Sequence, residues 1–315
     1  MAELRYNPLL DDYTMINSNR NKRPDMPSGY CAFCPQYKNV EPYDVLLYPN
    51  DFPILSTEHI LENKRDGLYH NKEAYGYCDV VLYTPDHNGK LYDLSDDHLL
   101  KLVDLWINRF LEIKKDKKIK YFFPFENRGK EVGTTMPHPH GQIYSYSFMP
   151  LKIKEELNNA QKYFYESGNN LYDEILKEEL RDGKRIIYKN NTFTAFIPYF
   201  AGYPFETYVF NSKSLASFED FDDDIKKDFV DLLKNLVKIM DSSFSREFPY
   251  MMGIFNKPIN SEAYADADDF FRFHLKFAPV LRSENSIKYN ASSETLAGAF
   301  GNPLSPEKAI EFLRK

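Results

Sequence analysis

The sequence predicts an α+β protein in which one order of strands and a helix is used twice, and three observations carry that expectation. "YCDVVLYTP" from Tyr77 is an apolar run of strand length. "SDDHLLKLVDLWINRFLEIKK" then places Leu99, Val103, Trp106, Phe110 and Ile113 on one face of a helix, with Ser95 as its cap. "KYFFPFENRG" and "PHPHGQIYSYS" follow as extended pieces, and the same order returns as "GYPFETYVF", "DDDIKKDFVDLLKNLVKIM", "FPYMMGIFNKP" and "FFRFHLKFAPVLR".

The first forty residues read as loop, ending in "NRNKRPDMPSGYCAFC", where prolines and Gly29 favour turns and Arg20, Lys22 and Arg23 gather. The second helix turns Ile225, Phe229, Leu232, Leu236 and Ile239 to one side. Between the copies, "LKIKEELNNAQKYFYESGNNLYDEILKEELRDGK" reads as a charged, largely helical linker. Setting His274 against His138 puts Lys276 at the place of His140 and Ala278 at that of Gln142. On that alignment the second copy keeps the scaffold and loses the chemistry.

The balance of 40 basic and 47 acidic side chains, a net charge of −7, provides no global attraction for nucleic acid or an anionic membrane. No apolar run has transmembrane length, and the start lacks the basic and apolar regions of a secretory signal, so a cytoplasmic location is expected. Three cysteines make no disulfide framework. Cys31 and Cys34 in "CAFC" suggest metal or redox work in a reducing compartment, and Cys78 reads as a small buried side chain.

The stretch "TTMPHPHGQIYSYS" holds two of the seven histidines. Two-residue spacing on an extended segment turns His138, His140 and Gln142 to one face. A neutral imidazole is a good nucleophile near neutral pH, and its bond to phosphorus is labile enough for the group to be passed on. Gln142 can hydrogen-bond a phosphoryl oxygen without supplying a proton, and Pro139 stiffens the row. Catalysis outweighs a merely structural histidine pair because Gly141, Gln142 and "FENRG" accompany it.

Over nearly the whole chain, "FENRGKEVGTTMPHPHGQIYSYSFMP", "GYCAFCP", "YPNDFP", "TPDHNGKLYDLS" and, more loosely, "HLKFAPVLR" resemble the galactose-1-phosphate uridylyltransferase family of the histidine triad superfamily. The resemblance implies two fused histidine-triad-like halves, antiparallel sheets with packed helices. Residues 1–165 would be the catalytic half, and 166–315 a degenerate half that contributes the hexose-binding segment. It implies ping-pong transfer from UDP-glucose to galactose 1-phosphate through a uridylyl group on His140, with Gln142, Thr135 and Arg23 near the phosphates. Asn127, Asn50 and Asp51 would meet uridine and ribose, and Phe33 the base. Cys31, Cys34, His87 and His138 match the family's zinc ligands, one structural zinc per chain. Lys288, Tyr289 and Glu294 match the segment that reaches the hexose of a neighbouring subunit, which implies a homodimer.

There are departures from the family pattern. A second metal site of one glutamate and three histidines keeps Glu156 and His274, but Phe255 and Lys276 fill the other places, so that site is expected to be absent. Ser293 replaces a tyrosine, and a glutamine contact is missing around Phe300. Two other functions therefore stay open: a nucleotidyltransferase or phosphorylase using an ADP-sugar or another sugar 1-phosphate, and a nucleotide-binding protein without turnover. His59, His70 and His98 read as solvent-exposed histidines in polar surroundings.

Overall fold

The computed structural model describes residues 2–18, 31–38, 42–134 and 136–314. In chain order the strands are β1 (Ala2–Asn7), β2 (Asp12–Asn17), β3 (Leu46–Pro49), β4 (Asn71–Glu73), β5 (Gly76–Leu82), β6 (Tyr121–Arg128) and β7 (His140–Tyr146). They continue as β8 (Ile186–Lys189), β9 (Phe193–Phe196), β10 (Thr207–Asn211), β11 (Tyr250–Phe255), β12 (His274–Pro279), β13 (Leu281–Ser283) and β14 (Ser286–Ile287). The helices are α1 (Pro35–Lys38), α2 (Asp96–Ile113), α3 (Leu151–Ser167), α4 (Leu171–Asp182), α5 (Asp223–Ser242), α6 (Ala267–Phe270), α7 (Ser292–Ala297) and α8 (Pro306–Leu313).

Among the described residues, one antiparallel nine-stranded sheet runs β3-β5-β7-β6-β11-β12-β10-β9-β8. Its centre is the β6–β11 pair, and each half continues outward in the same order, which makes the repeat a two-fold arrangement. Leu82 faces His140 on one side, and Phe210 faces His274 on the other. His274 opens β12 as His140 opens β7, and each ring sets its Nδ1 against the carbonyl two residues back, which makes His274 the counterpart of His140 and Lys276 that of Gln142. This corrects the alignment of His274 with His138: sequence spacing left a two-residue slip undetected, because either choice keeps the same side chains on the same face.

Alternation sorts the two faces. Val81, Ile143, Val209, Leu275 and Phe277 meet α2 and α5 in the larger core. Ser95 caps α2 by accepting from the His98 amide, and Asp222 does the same for α5 from Asp224 and Ile225. The expected apolar faces are buried, except that Met240 enters the core and Ile239 lies at its margin. The opposite face is covered in the second half by α3, α4 and α6, with Ile153, Leu157, Tyr172, Phe196 and Phe270 enclosed. The expected linker is thus a packed layer, turned between its helices at Gly168, whose φ of 72° suits a residue without Cβ. Residue 165, the expected boundary, lies in the last turn of α3.

The N-terminal segment is not the expected loop throughout. β1 and β2 form a hairpin, joined by β4 into a three-stranded sheet with Leu4 buried. The strands are short, and Pro8 and paired Leu9-Leu10 at the turn hide the alternation. No helix among the described residues is long and apolar enough to cross a membrane.

Candidate active site

β7 begins at His140, so His138 lies in the bend before it rather than on the same strand. His138 is 1% exposed, and its Nε2 donates to the Thr84 carbonyl at 2.7 Å. That bond fixes the tautomer and leaves Nδ1 facing Cys34 Sγ at 3.7 Å. His87, on the loop after β5, brings its Nδ1 to 3.5 Å from the same sulfur. Cys31 and Cys34 belong to the turn entering α1, where the Cys34 amide donates to the Cys31 carbonyl at 3.1 Å.

One ligand atom from each of Cys31, Cys34, His87 and His138 fits within 4.8 Å of the others, so this set could hold a metal ion. Burial, then the adjoining Cys31, pushes the Cys34 thiol up to about 11. Burial also lowers the His138 pKa, which keeps that ring neutral. Two buried sulfurs beside the ring nitrogens of His87 and His138 are a donor set that a cation completes.

His140 is held differently. Its Nδ1 lies 2.7 Å from the His138 carbonyl oxygen. A carbonyl can only accept, so Nδ1 carries the proton and Nε2 the lone pair of the neutral ring. The Phe33 ring meets His140 edge-on at 4.9 Å and Tyr48 at 6.2 Å. Tyr48, Val80, Gln142 and Phe125 lie opposite one another across four strands, so Gln142 sits one row from His140 on the same face. Asn127, two residues beyond Phe125, comes level with His140 on β6, and its carbonyl accepts from Thr134 Oγ1 at 2.6 Å.

Asn50 ends β3 in a turn, accepting from the Phe52 amide at 2.9 Å and donating its own amide to Cys78 at 2.8 Å. Asp51 beside it is exposed. Lys288, Tyr289 and Glu294 are not brought to this group. The Lys288 amide bonds to Val280 just past β12, and Asn302 bonds to Ala201 and Tyr203 before β10. Those strands stand three and four positions from β7, roughly 14 to 19 Å by strand spacing. Lys288 is buried and donates to Glu294 at 2.9 Å, which with the Ala291 and Gly301 amides holds the Glu294 pKa down at about 2. Arg23 and Thr135 lie outside the described residues.

A cleft of about 810 Å³ opens at the strand ends beside His138 and His140, reaching Asn127, Gly129, Lys130, Lys90 and Arg246. Its floor contains a buried carboxylate, Glu126, that the sequence reading did not single out. An acid inside an apolar strand was the available signal, but its partner Tyr250 is 124 residues away.

The sequence profile of the galactose-1-phosphate uridyl transferase N-terminal domain matches residues 16–150, and that of the C-terminal domain matches residues 156–315. The chain belongs to this family. A galactose-1-phosphate uridylyltransferase of Thermotoga maritima is 37% identical over 318 residues, spanning 100% of this chain and 98% of its own length. That of Saccharomyces cerevisiae is 31% identical over 342 residues, 98% of this chain and 93% of its own. A solved uridylyltransferase superposes with a TM-score of 0.89 at 25% identity, covering 99% of this chain and 97% of that one. An ADP-glucose phosphorylase of Arabidopsis thaliana, solved with ADP-glucose, shares the fold at a TM-score of 0.76 and 22% identity, over 100% of this chain and 99% of its own.

The second half of this chain carries a second cluster of polar groups. His274 Nδ1 donates to the Arg272 carbonyl at 2.7 Å, as His140 does to His138. Its Nε2 lies 3.2 Å from Glu156, and Phe255 stacks on the ring at 4.7 Å. The Lys276 ammonium pairs with the other Glu156 oxygen. Burial works against ionised Glu156, but Lys276 and His274 overcome it and hold the carboxyl well below its usual range. The three expected exposed histidines are half-buried instead. His98 bonds to the Tyr83 carbonyl at 2.7 Å, His59 to Ala74 at 3.2 Å, and His70 stacks on Tyr6 at 4.2 Å.

Proposed function

We propose that the protein is a hexose-1-phosphate uridylyltransferase that moves a uridylyl group from UDP-glucose to galactose 1-phosphate through His140. The observation that carries the reading is the Nδ1 contact of His140 with the His138 carbonyl, which directs the lone pair of the other nitrogen outward for attack. In the first step Nε2 bonds to the α-phosphorus while the P–O bond to glucose 1-phosphate breaks, and the leaving phosphate departs as its anion. In the second, a phosphate oxygen of galactose 1-phosphate takes the phosphorus and the N–P pair returns to Nε2. The His138 carbonyl accepts from the ring throughout and favours the positive charge carried by the uridylylated imidazole.

Gln142 donates its amide to a non-bridging phosphoryl oxygen, with Arg23 and Thr135 assigned to the phosphates by family likeness. Phe33, edge-on to His140, offers an apolar surface to the base. Asn127, Asn50 and Asp51 are assigned to uridine and ribose.

Zinc is the metal assigned to Cys31, Cys34, His87 and His138. A tetrahedral Zn²⁺ with bonds of about 2.0–2.3 Å sets its ligand atoms roughly 3.3–3.8 Å apart, and the Cys34 contacts of 3.5 and 3.7 Å suit that spacing. Bound there, zinc would supply a structural tie between the α1 turn, the loop after β5 and the bend before His140. The distance of Lys288, Tyr289 and Glu294 from His140 supports their assignment to the hexose of a partner subunit's site, hence a homodimer of chains with a catalytic half, 1–165, and a degenerate half, 166–315. Cys31, Cys34 and Cys78, buried and not joined by disulfides, suit a cytoplasmic setting.

The test is exchange without acceptor. Labelled glucose 1-phosphate should enter UDP-glucose when galactose 1-phosphate is omitted, and initial rates should give parallel double-reciprocal lines. Intersecting lines with no exchange would overturn the ping-pong reading.

A further inference from the structure

Behind the catalytic strand, on the face turned toward α2 and α5, lies a buried chain of hydroxyls around one carboxyl. Tyr83, the residue after β5, is 2% exposed, donates its amide to the Pro139 carbonyl at 3.1 Å, and has its carbonyl held by His98 at 2.7 Å. Its ring rests edge-on against Trp106 at 6.0 Å. Its hydroxyl occupies the space a side chain at Gly141 would need, 2.3 Å from where a Cβ would stand. Tyr83 therefore touches the chain at residue 139 and at residue 141, on either side of His140.

Glu126 is 7% exposed on β6 and accepts from Tyr250 Oη at 3.2 Å. Its other oxygen, Oε2, is buried with no hydrogen bond of ordinary length, the Tyr83 hydroxyl faces the carboxyl closely enough to favour its ionised form, and the residue lines the same cleft as His140. The titratable and charged groups around it are Tyr83, Tyr250 from β11, Arg128 two residues along β6, Asp241 from α5 and Glu247 before β11, with His138 and His140 across the cleft. Arg128 is committed to both oxygens of Asp241 at 2.8 Å and to Glu247 at 2.7 Å. Its charge is thereby shared with two other carboxylates.

We propose that Tyr83 and Glu126 are positioning residues for the nucleophile: Tyr83 grips the chain on both sides of His140, and the Glu126 carboxyl holds the Tyr83 hydroxyl from below. The ring of His140 is set by a bond to the carbonyl two residues back, so its direction depends on the backbone between 138 and 141. A fraction of an ångström of slack there would turn Nε2 away from the line of attack. Burial raises the Glu126 pKa to about 7, so near neutrality about half of the carboxyl is in the acid form, able to donate from one oxygen while accepting on the other.

The inference rests on the transferase reading. Its test uses the full-length, metal-replete protein with UDP-glucose and galactose 1-phosphate, and adds ring ¹⁵N shifts of His140. Tyr83→Phe and Glu126→Ala should each lower kcat at least tenfold with KM for UDP-glucose within threefold of wild type, and should move the His140 ring shifts. Glu126→Gln, an amide that cannot ionise, should keep kcat within threefold at pH 7 and lose less of it at pH 8.5 than wild type does. In a double-mutant cycle, Gly141→Ala should be less damaging with Tyr83→Phe present than without it. Wild-type kcat in both Tyr83→Phe and Glu126→Ala, equal impairment of Glu126→Gln and Glu126→Ala at every pH, or strict additivity in the cycle would each overturn the proposal. A wild-type protein inactive with both substrates would sink the transferase reading alone. Positioning would then be judged from the His140 shifts, and unchanged shifts in Tyr83→Phe would overturn it.

Discussion

His274 stands in the second half where His140 stands in the first, and each ring donates from Nδ1 at 2.7 Å to the carbonyl two residues before it. The difference lies in burial, His140 being half-buried. His274 is fully buried, with Glu156 at 3.2 Å and Phe255 stacked over it. The duplicated strand thus kept a histidine in the posture of His140 and enclosed its ring.

Replacing His274 with Asn removes a buried ring and its stack, and should cost about 2 kcal/mol of stability. Uridylyl transfer should stay within a few-fold of wild type at a temperature where both are folded. Denaturant melts and exchange assays check this; a normal melt with abolished transfer would contradict the structural role.

Lys276 is the cation that keeps Glu156 ionised, each about a quarter exposed. Lys276→Met should lower stability at pH 7 by about 2 kcal/mol, an amount reduced from the fully buried case by partial solvation. Because the folded pKa of Glu156 is depressed below its ordinary 4.5, its contribution is present above that value and lost as pH falls toward the folded pKa. Wild-type stability should therefore fall on acidification below about pH 4.5, with a shallower slope in Lys276→Met. Parallel curves would refute the coupling.

Glu126 should act in the opposite sense. Its folded pKa, about 7, exceeds the ordinary 4.5, so the native state binds the extra proton between those values and stability declines as pH rises through them. At pH 8 the burden should be about 3 kcal/mol, since each tenfold gain in proton affinity on folding is worth about 1.4 kcal/mol. Glu126→Gln should therefore gain on wild type between pH 5 and pH 8 in a melting series, and a constant difference across that range would count against the raised pKa.

Cys31→Ser should lower bound zinc, measured by atomic emission, to well under half of one per chain, with a fall in melting temperature. His138 would lose its orienting ion, so transfer should drop as well. Retention of full metal would remove Cys31 from the ligand set.

Much of this was legible in one sequence. Helix α2 was readable from apolar spacing and its Ser95 cap, and the repeat from the order of its pieces. The family was readable because the His-Pro-His-Gly-Gln run and its neighbours match it, and so was the cluster of two cysteines and two histidines that could hold a metal. Register was not: a slip of two residues preserves every inside and outside position, and it is decided by where β7 and β12 begin and by the matching ring contacts of His140 and His274. The carboxyl behind Gly141 also escaped notice, since Glu126, Tyr83 and Tyr250 meet only when β6 pairs with β11. The exposed reading of His98 failed for the same reason, its partner carbonyl lying fifteen residues away.

The central claim is that His140 carries the uridylyl group while His138 holds metal. Intact-mass spectrometry after mixing with UDP-glucose alone, quenched in mild alkali, should reveal a uridylyl adduct that galactose 1-phosphate discharges. In His140→Gly the adduct should be absent with metal content unchanged. An adduct that survives in His140→Gly, or that forms in wild type only from ADP-glucose, would contradict the account.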